Sequence, residues 1–314
     1  MSRQGKENNA VNLDQLYRES APWLRGVGYR ICGDVAVAED LLQESFLRVL
    51  EESDLEKVDR DALLASVARL AVRALQARQS GNYRGTWLPT PVQTDLDGVD
   101  DREEKGRQST LSFDLLCALE GVDTIARAAY VLAEMRGGSP EQIAGFLEQP
   151  SAKVEMSLVE TRLHLDRARF FSGKRTHREE KNRLVQALGT GLGSRAGEFP
   201  RDRVAPSLEL VFDHGGTCNA PENQLCAPAV AVKTLQELLG PAKGTVGIEV
   251  AEVNFLPALI VHLGERPDGE AERMAIIPSW DEEGVLGRVQ IVLAAGKLRA
   301  PSFDGLRPSL GEIL

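Results

Sequence analysis

The sequence predicts two all-α domains followed by an α+β domain, and three observations carry that reading. Apolar residues recur at helical spacing from about residue 11 to 80. They do so again from about Ser112 to Phe171. After about Arg203 the pattern changes to short apolar runs bounded by Gly, Pro, Asp and Asn, with one helical stretch among them. A chain of 314 residues accommodates two or three domains of ordinary size.

In the first block, Leu13, Leu16 and Tyr17 start an apolar stripe. Leu24, Val27 and Ile31, then Ala38, Leu41, Leu42, Phe46 and Leu50, continue it. Gly33-Asp34 interrupts the run, and Asp34 is placed to cap the following helix. Leu63, Val67, Leu70 and Leu75 mark a further helix. The stretch 81–110 holds Gly, two prolines and many acids, which predicts a linker. In the second block a helix over Thr124–Met135 stops at Gly137-Gly138. Ser139-Pro140-Glu141-Gln142 then supplies an N-cap, a first-turn proline and a capping-box Gln for a short helix ending near Leu147. Glu148-Gln149-Pro150 makes a turn, and Ser151 caps a longer helix ending near Phe171. That outline fits a helix-turn-helix or a plain helical hairpin. Beyond it, Ser207–Phe212, Val246–Val253, Ala258–Leu263, Arg273–Ile277 and Val285–Leu293 read as strands, and Ala229–Leu239 as a helix. The predicted domains are therefore 11–80, 111–176 and 178–300, with the linker over 81–110.

The formal net charge is −10, so any nucleic-acid surface is local rather than global. No apolar run of about 18 residues suggests a membrane span. The N-terminus lacks the apolar core of a signal peptide. Cys32, Cys117, Cys218 and Cys226 match no common zinc pattern; free thiols in a reducing cytoplasm are expected, with a Cys218–Cys226 pair as the alternative.

Three motifs resemble the bacterial sigma-factor family. The run Ala38-Glu39-Asp40-Leu41-Leu42-Gln43-Glu44-Ser45-Phe46-Leu47-Arg48 resembles the stretch with which sigma factors grip the clamp helices of the largest RNA polymerase subunit. Helical spacing turns its apolar members inward and leaves Asp40, Gln43, Glu44 and Arg48 for polar contacts. Tyr130–Glu134 followed by Gly138–Leu147 resembles the domain that reads the −35 promoter element. Trp87-Leu88-Pro89-Thr90-Pro91 resembles the Trp-Leu-Pro-x-Pro linker of extracytoplasmic-function sigma factors with a SnoaL-like C-terminal domain. The resemblance implies two sigma-type helical domains, the second a helix-turn-helix, and an α+β SnoaL-like cone with a curved mixed sheet. It implies a cytoplasmic transcription-initiation subunit with core RNA polymerase and promoter DNA as partners, regulated by its own C-terminal domain. Neither an enzymatic activity nor a cofactor or metal is expected.

The expected DNA contacts are Arg69, Arg73, Arg78 and Arg84 near the −10-reading helix, and Lys153 and Arg162 on the recognition helix. Glu155 and Glu160 stand where the family usually has basic residues, and a carboxylate facing phosphate is repulsive. Two readings stay open: a working promoter-specificity subunit, or a sigma-like interaction protein whose DNA recognition has degenerated. A third, remote reading is a small-molecule-binding cone. Asp213 and His214 are adjacent on a strand, so they point to opposite faces and make a poor acid–base pair. The segment Asp213-His214-Gly215-Gly216 is expected to meet the linker around Trp87, stiffened by Pro89 and Pro91. The bland alternative is that the glycines form a simple turn and Trp87 packs on its own domain.

Overall fold

The computed structural model describes residues 3–52, 59–94, 111–168, 178–193, 204–239, 247–263, 270–281 and 283–298. Three long helices come first: α1 (Arg3–Cys32), α2 (Val35–Glu52) and α3 (Arg60–Ser80). Gly33 separates α1 from α2 at φ +74, and Asp34 caps α2 by accepting from the Ala36 and Val37 amides. Asp59 caps α3 through the Ala62 amide. A second helical group holds α4 (Phe113–Ala118), a 3-10 turn (Leu119–Gly121), α5 (Thr124–Met135), α6 (Pro140–Leu147) and α7 (Ser151–Asp166). Ser139 and Gln142 form the predicted capping box on α6. Both groups share one apolar core, in which Leu24, Ile31, Leu42, Leu64 and Val67 meet Leu116, Leu132, Ile143 and Val154.

The C-terminal part begins with α8 (Arg178–Gly193) and adds β1 (Val204–Asp213), β2 (Gln224–Cys226), α9 (Pro228–Leu239), β3 (Gly247–Val253), β4 (Leu256–His262), β5 (Arg273–Trp280), β6 (Leu286–Val292) and the single turn α10 (Ala295–Leu298). The six strands lie in the order β2-β1-β6-β5-β4-β3. The β1–β6 pair is parallel and the others are antiparallel, giving a mixed sheet. Its central strands alternate between two buried faces, while the edge strands β2 and β3 stay partly exposed. Leu208, Leu210, Phe212, Leu259, Val261, Met274, Ile276, Val289 and Ile291 pack on one side with Val185, Leu188 and Leu235 of α8 and α9. Val211, Val253, Ala258, Ala275, Ile277 and Val292 pack on the other with Leu88 of the linker and Phe113 of α4. The first face is covered by the domain's own helices and the second by the N-terminal part. The fold is thus the predicted one: helical domains followed by a SnoaL-like α+β cone.

Several sequence readings need correction. Ser151 is the first helical residue of α7 and Pro150 holds the cap position, without a side-chain hydrogen bond. The helix closes at Asp166, ahead of Phe171. Strand β2 has only three residues and escaped prediction because so short a run shows no period. Residues 88–92 are built into the interior: Leu88, Pro89, Thr90, Pro91 and Val92 are all buried. Residues 95–110 of the predicted linker lie outside the described residues.

Candidate functional site

Helix α2 presents Asp40, Gln43 and Glu44 to solvent, with Arg48 half-buried beside them. The Arg48 guanidinium closes on Glu44 at 2.5 Å, one helical turn away. Leu41, Leu42, Phe46 and Val49 face the core as the spacing requires. Leu47 does not: it is 62% exposed and adds an apolar contact to the polar face. The spacing had turned all the apolar members inward, but Leu47 lies between Gln43 and Arg48 on the helix surface.

The linker passes through a buried polar knot centred on Asp213. Strand parity puts Asp213 on the same face as Val211, toward the linker. Its carboxylate is fully buried and accepts from the Tyr83 hydroxyl at 2.5 Å, the Leu88 amide at 2.9 Å and the Lys297 ammonium at 2.6 Å. Lys297 also donates to the Leu88 carbonyl. Burial lowers the pKa of Lys297, and the Asp213 carboxylate opposes that shift. Trp87 receives two cations, with the Arg78 guanidinium carbon 3.3 Å and the Lys297 nitrogen 4.0 Å from the ring centroid. Arg78 is held in turn by Glu120 at 2.6 Å, and Glu120 pairs with the fully buried Arg127. A Cβ on Gly33 would clash with the Trp87 ring, so this position needs glycine for approach as well as for φ.

The turn after β1 closes on the same linker. Cβ atoms added to Gly85, Gly215 and Gly216 would meet His214 at 2.6 Å, Tyr83 at 3.1 Å and Arg84 at 3.0 Å. The turn Asp213–Gly216 therefore meets the linker at Tyr83–Leu88, with Lys297 joining Asp213 to Trp87, while Pro89 and Pro91 are buried further along the linker.

A second clamp sits further along the strap. Asn254, fully buried at φ +47, accepts from the Val92 amide at 2.9 Å and donates to the Tyr29 hydroxyl at 3.0 Å and the Leu111 carbonyl at 2.9 Å. Tyr29 donates its own proton to the Thr90 carbonyl at 2.7 Å. One side chain thus ties α1, the strap, the approach to α4 and the β3–β4 turn together. Gln93 adds an antiparallel bridge to Val253.

A third contact joins α4 to the sheet. The Ser279 hydroxyl lies against Asp114 and 2.7 Å from the Gln290 Oε1. A hydroxyl has one proton, so Ser279 donates to Asp114 or to Gln290, one at a time. Burial raises the Asp114 pKa from 3.8 to about 7, outweighing the hydrogen bonds from Ser279 and Gln290 that favour the ionised form. The folded state then holds a proton that the unfolded chain has already released. Stability should fall as pH rises from about 4 to 7, by on the order of 1.4 kcal/mol for each pH step of one across that window. Asp114→Asn should flatten this decline in denaturation midpoints measured from pH 4 to 8; an unchanged slope would contradict it.

The predicted basic residues do not form one surface. Arg69 is half-buried, bonded to the Phe146 carbonyl at 3.3 Å and to Glu148 at 3.2 Å, where it docks α3 on α6. Arg78 is committed to Glu120 and Trp87. These two Arg side chains serve packing between elements, so the expected basic face is broken. Arg73 and Arg84 remain exposed. On α7, Lys153 bonds Gln149 at 3.0 Å and Arg162 lies 3.7 Å from Glu134, both exposed. Glu155 and Glu160 face solvent beside them. Among the described residues, no group of three His, Cys, Asp or Glu could hold a metal, and no helix is long and apolar enough to cross a membrane.

Residues 16–80 match the sigma-70 region 2 family. The extracytoplasmic-function RNA polymerase sigma factor SigJ of Mycobacterium tuberculosis is 36% identical over 111 residues, covering 35% of this chain and 36% of that one. Sigma factor SigE of Mycolicibacterium smegmatis is 28% identical over 169 residues, covering 52% and 62%. The probable sigma factor SigI of M. tuberculosis is 22% identical over 276 residues, covering 79% and 93%. The chain thus spans less than two thirds of the first two relatives. The crystal structure of M. tuberculosis SigJ superposes with a TM-score of 0.65 at 21% identity, covering 95% of this chain and 99% of that one, which establishes a shared fold.

Proposed function

We propose that this protein is a promoter-directing subunit of RNA polymerase of the SigJ-like extracytoplasmic-function kind, working in the cytoplasm; the match of residues 16–80 to sigma-70 region 2 and the fold shared with SigJ support that reading. Its relatives are named as RNA polymerase sigma factors. Helix α2 binds the clamp helices of the largest polymerase subunit through Asp40, Gln43, Glu44 and Arg48, with Leu47 filling an apolar contact at the centre. The C-terminal domain acts in cis, by fixing the strap between the helical domains rather than by catalysis. The observation that carries this reading is the region 2 match over a helix whose Asp40, Gln43 and Glu44 are exposed while Leu41, Leu42, Phe46 and Val49 pack inward.

A second reading is favoured by α7, where two carboxylates and exposed apolar residues occupy the recognition face. In that reading the chain binds polymerase but reads DNA weakly. Transcription by purified core polymerase on a pool of promoter fragments separates the two. Discrete start sites that require the added protein support the first reading; binding without initiation supports the second.

A further inference from the structure

Helix α7 has two opposed apolar faces. Val154, Ser157, Leu158, Thr161 and Leu165 are buried within the helical domain. On the other side Met156, Val159 and Leu163 are 59%, 52% and 50% exposed, and Ala152 is exposed in line with them. The spacing of Ala152, Met156, Val159 and Leu163 alternates four, three and four residues, the a/d seam of a coiled coil. Glu155 and Arg162 flank this seam on one side, and Lys153 and Glu160 flank it on the other. DNA is a poor occupant, because its phosphates would meet two carboxylates and a row of uncharged side chains.

We propose that this face is a self-association surface on which α7 packs antiparallel against α7 of a second copy of the chain. The two-fold axis sets Met156 opposite the partner's Val159, and Ala152 opposite the partner's Leu163. The flanking charges decide the direction. In the antiparallel register Glu155 meets the partner's Arg162 and Lys153 meets the partner's Glu160, and symmetry forms each pair twice. A parallel pair would instead set Glu155 against the partner's Glu160, twice repulsive. The existing partners of these cations are loose and exposed: Gln149 for Lys153, and Glu134 at 3.7 Å for Arg162. Both can swing to a new carboxylate. Two heptads bury far less than the roughly 1,600 Å² of a standard interface, so the dimer is transient, with a Kd in the range of about 10 µM to 1 mM. The association does not depend on the chain being a polymerase subunit; its consequence, that the dimer withholds α7 from promoter DNA, rests on that reading.

Sedimentation velocity on the full-length chain, across concentrations spanning that Kd range, tests the proposal. A monomer–dimer equilibrium is expected for the parent. Met156→Asp with Leu163→Asp should leave only monomer, while thermal unfolding followed by circular dichroism stays unchanged because both positions are exposed. Glu155→Arg alone and Arg162→Glu alone should each weaken the dimer about tenfold. The double exchange, Glu155→Arg with Arg162→Glu, should restore it by reversing the pair. A monomer at every concentration overturns the proposal, as does a dimer indifferent to the seam variants. Tightening by Glu155→Arg would show a parallel pair and overturn the stated geometry. A monomer whose affinity for duplex DNA falls with the seam variants would show that α7 faces DNA instead.

Discussion

Replacing Asp213 with Ala should destabilise the folded chain by about 3–5 kcal/mol, the usual cost of leaving a buried charge without its partner. Asp213 is fully buried and Lys297 is 7% exposed, so neither charge is relieved by water. The Ala variant leaves the Lys297 ammonium, the Tyr83 hydroxyl and the Leu88 amide without their shared acceptor. Lys297 also touches Trp87, so the strap should loosen with it. Denaturant unfolding followed by Trp fluorescence reads the loss, and limited proteolysis reads the loosening near residues 83–94. Asp213→Asn should fall between parent and Ala, since an amide keeps an acceptor but not the charge. An unchanged midpoint in the Ala variant would mean that the knot does not hold the strap.

Asn254→Ala should cost about 3–5 kcal/mol, for two separable reasons. The Val92 amide and the Leu111 carbonyl lose their partner in the interior, at about 1–3 kcal/mol for each group left unsatisfied. Alanine also tolerates a left-handed φ less well than Asn, by about 1 kcal/mol. Asn254→Gly removes only the second cost and should be the milder variant by about that amount. Chemical denaturation of the two variants measures the difference, and equal stabilities would show that backbone strain contributes nothing.

Much of this architecture can be read from residue spacing. The capping box at Ser139 and Gln142, the break at Gly33 and the period change after Arg203 each have a local cause, and each appears in the structure. The junction of the Trp87 strap with the Asp213 turn was legible as well, because Trp, Pro and paired Gly advertise a stiff segment and a close approach. What holds that junction was not legible. Lys297 lies over two hundred residues from its Leu88 acceptor and reads as an ordinary surface lysine on a short terminal helix. Tyr29 and Asn254 meet across a separation of 225 residues. Asn254 carried one local signal, as an Asn in a two-residue connection between strands, which suits a left-handed turn. Nothing local reveals its three partners. The intramolecular partners of Arg69 and Arg78 were not legible for the opposite reason: a charge count along a helix cannot tell solvent from a neighbouring element.

If α2 seats this chain on RNA polymerase, a titration with core polymerase shows it most directly. Labelled full-length protein is titrated with core polymerase and compared with the Asp40→Lys, Glu44→Lys double variant, both positions being exposed. Saturable binding by the parent, weakened at least about tenfold in the double variant, is the predicted result; that factor corresponds to about 1.4 kcal/mol. Circular dichroism of the double variant should match the parent, since the Glu44–Arg48 pair lies at the surface and contributes at most about 0.5 kcal/mol. Absence of saturable binding by the parent, or equal affinity in the two proteins, would contradict the account.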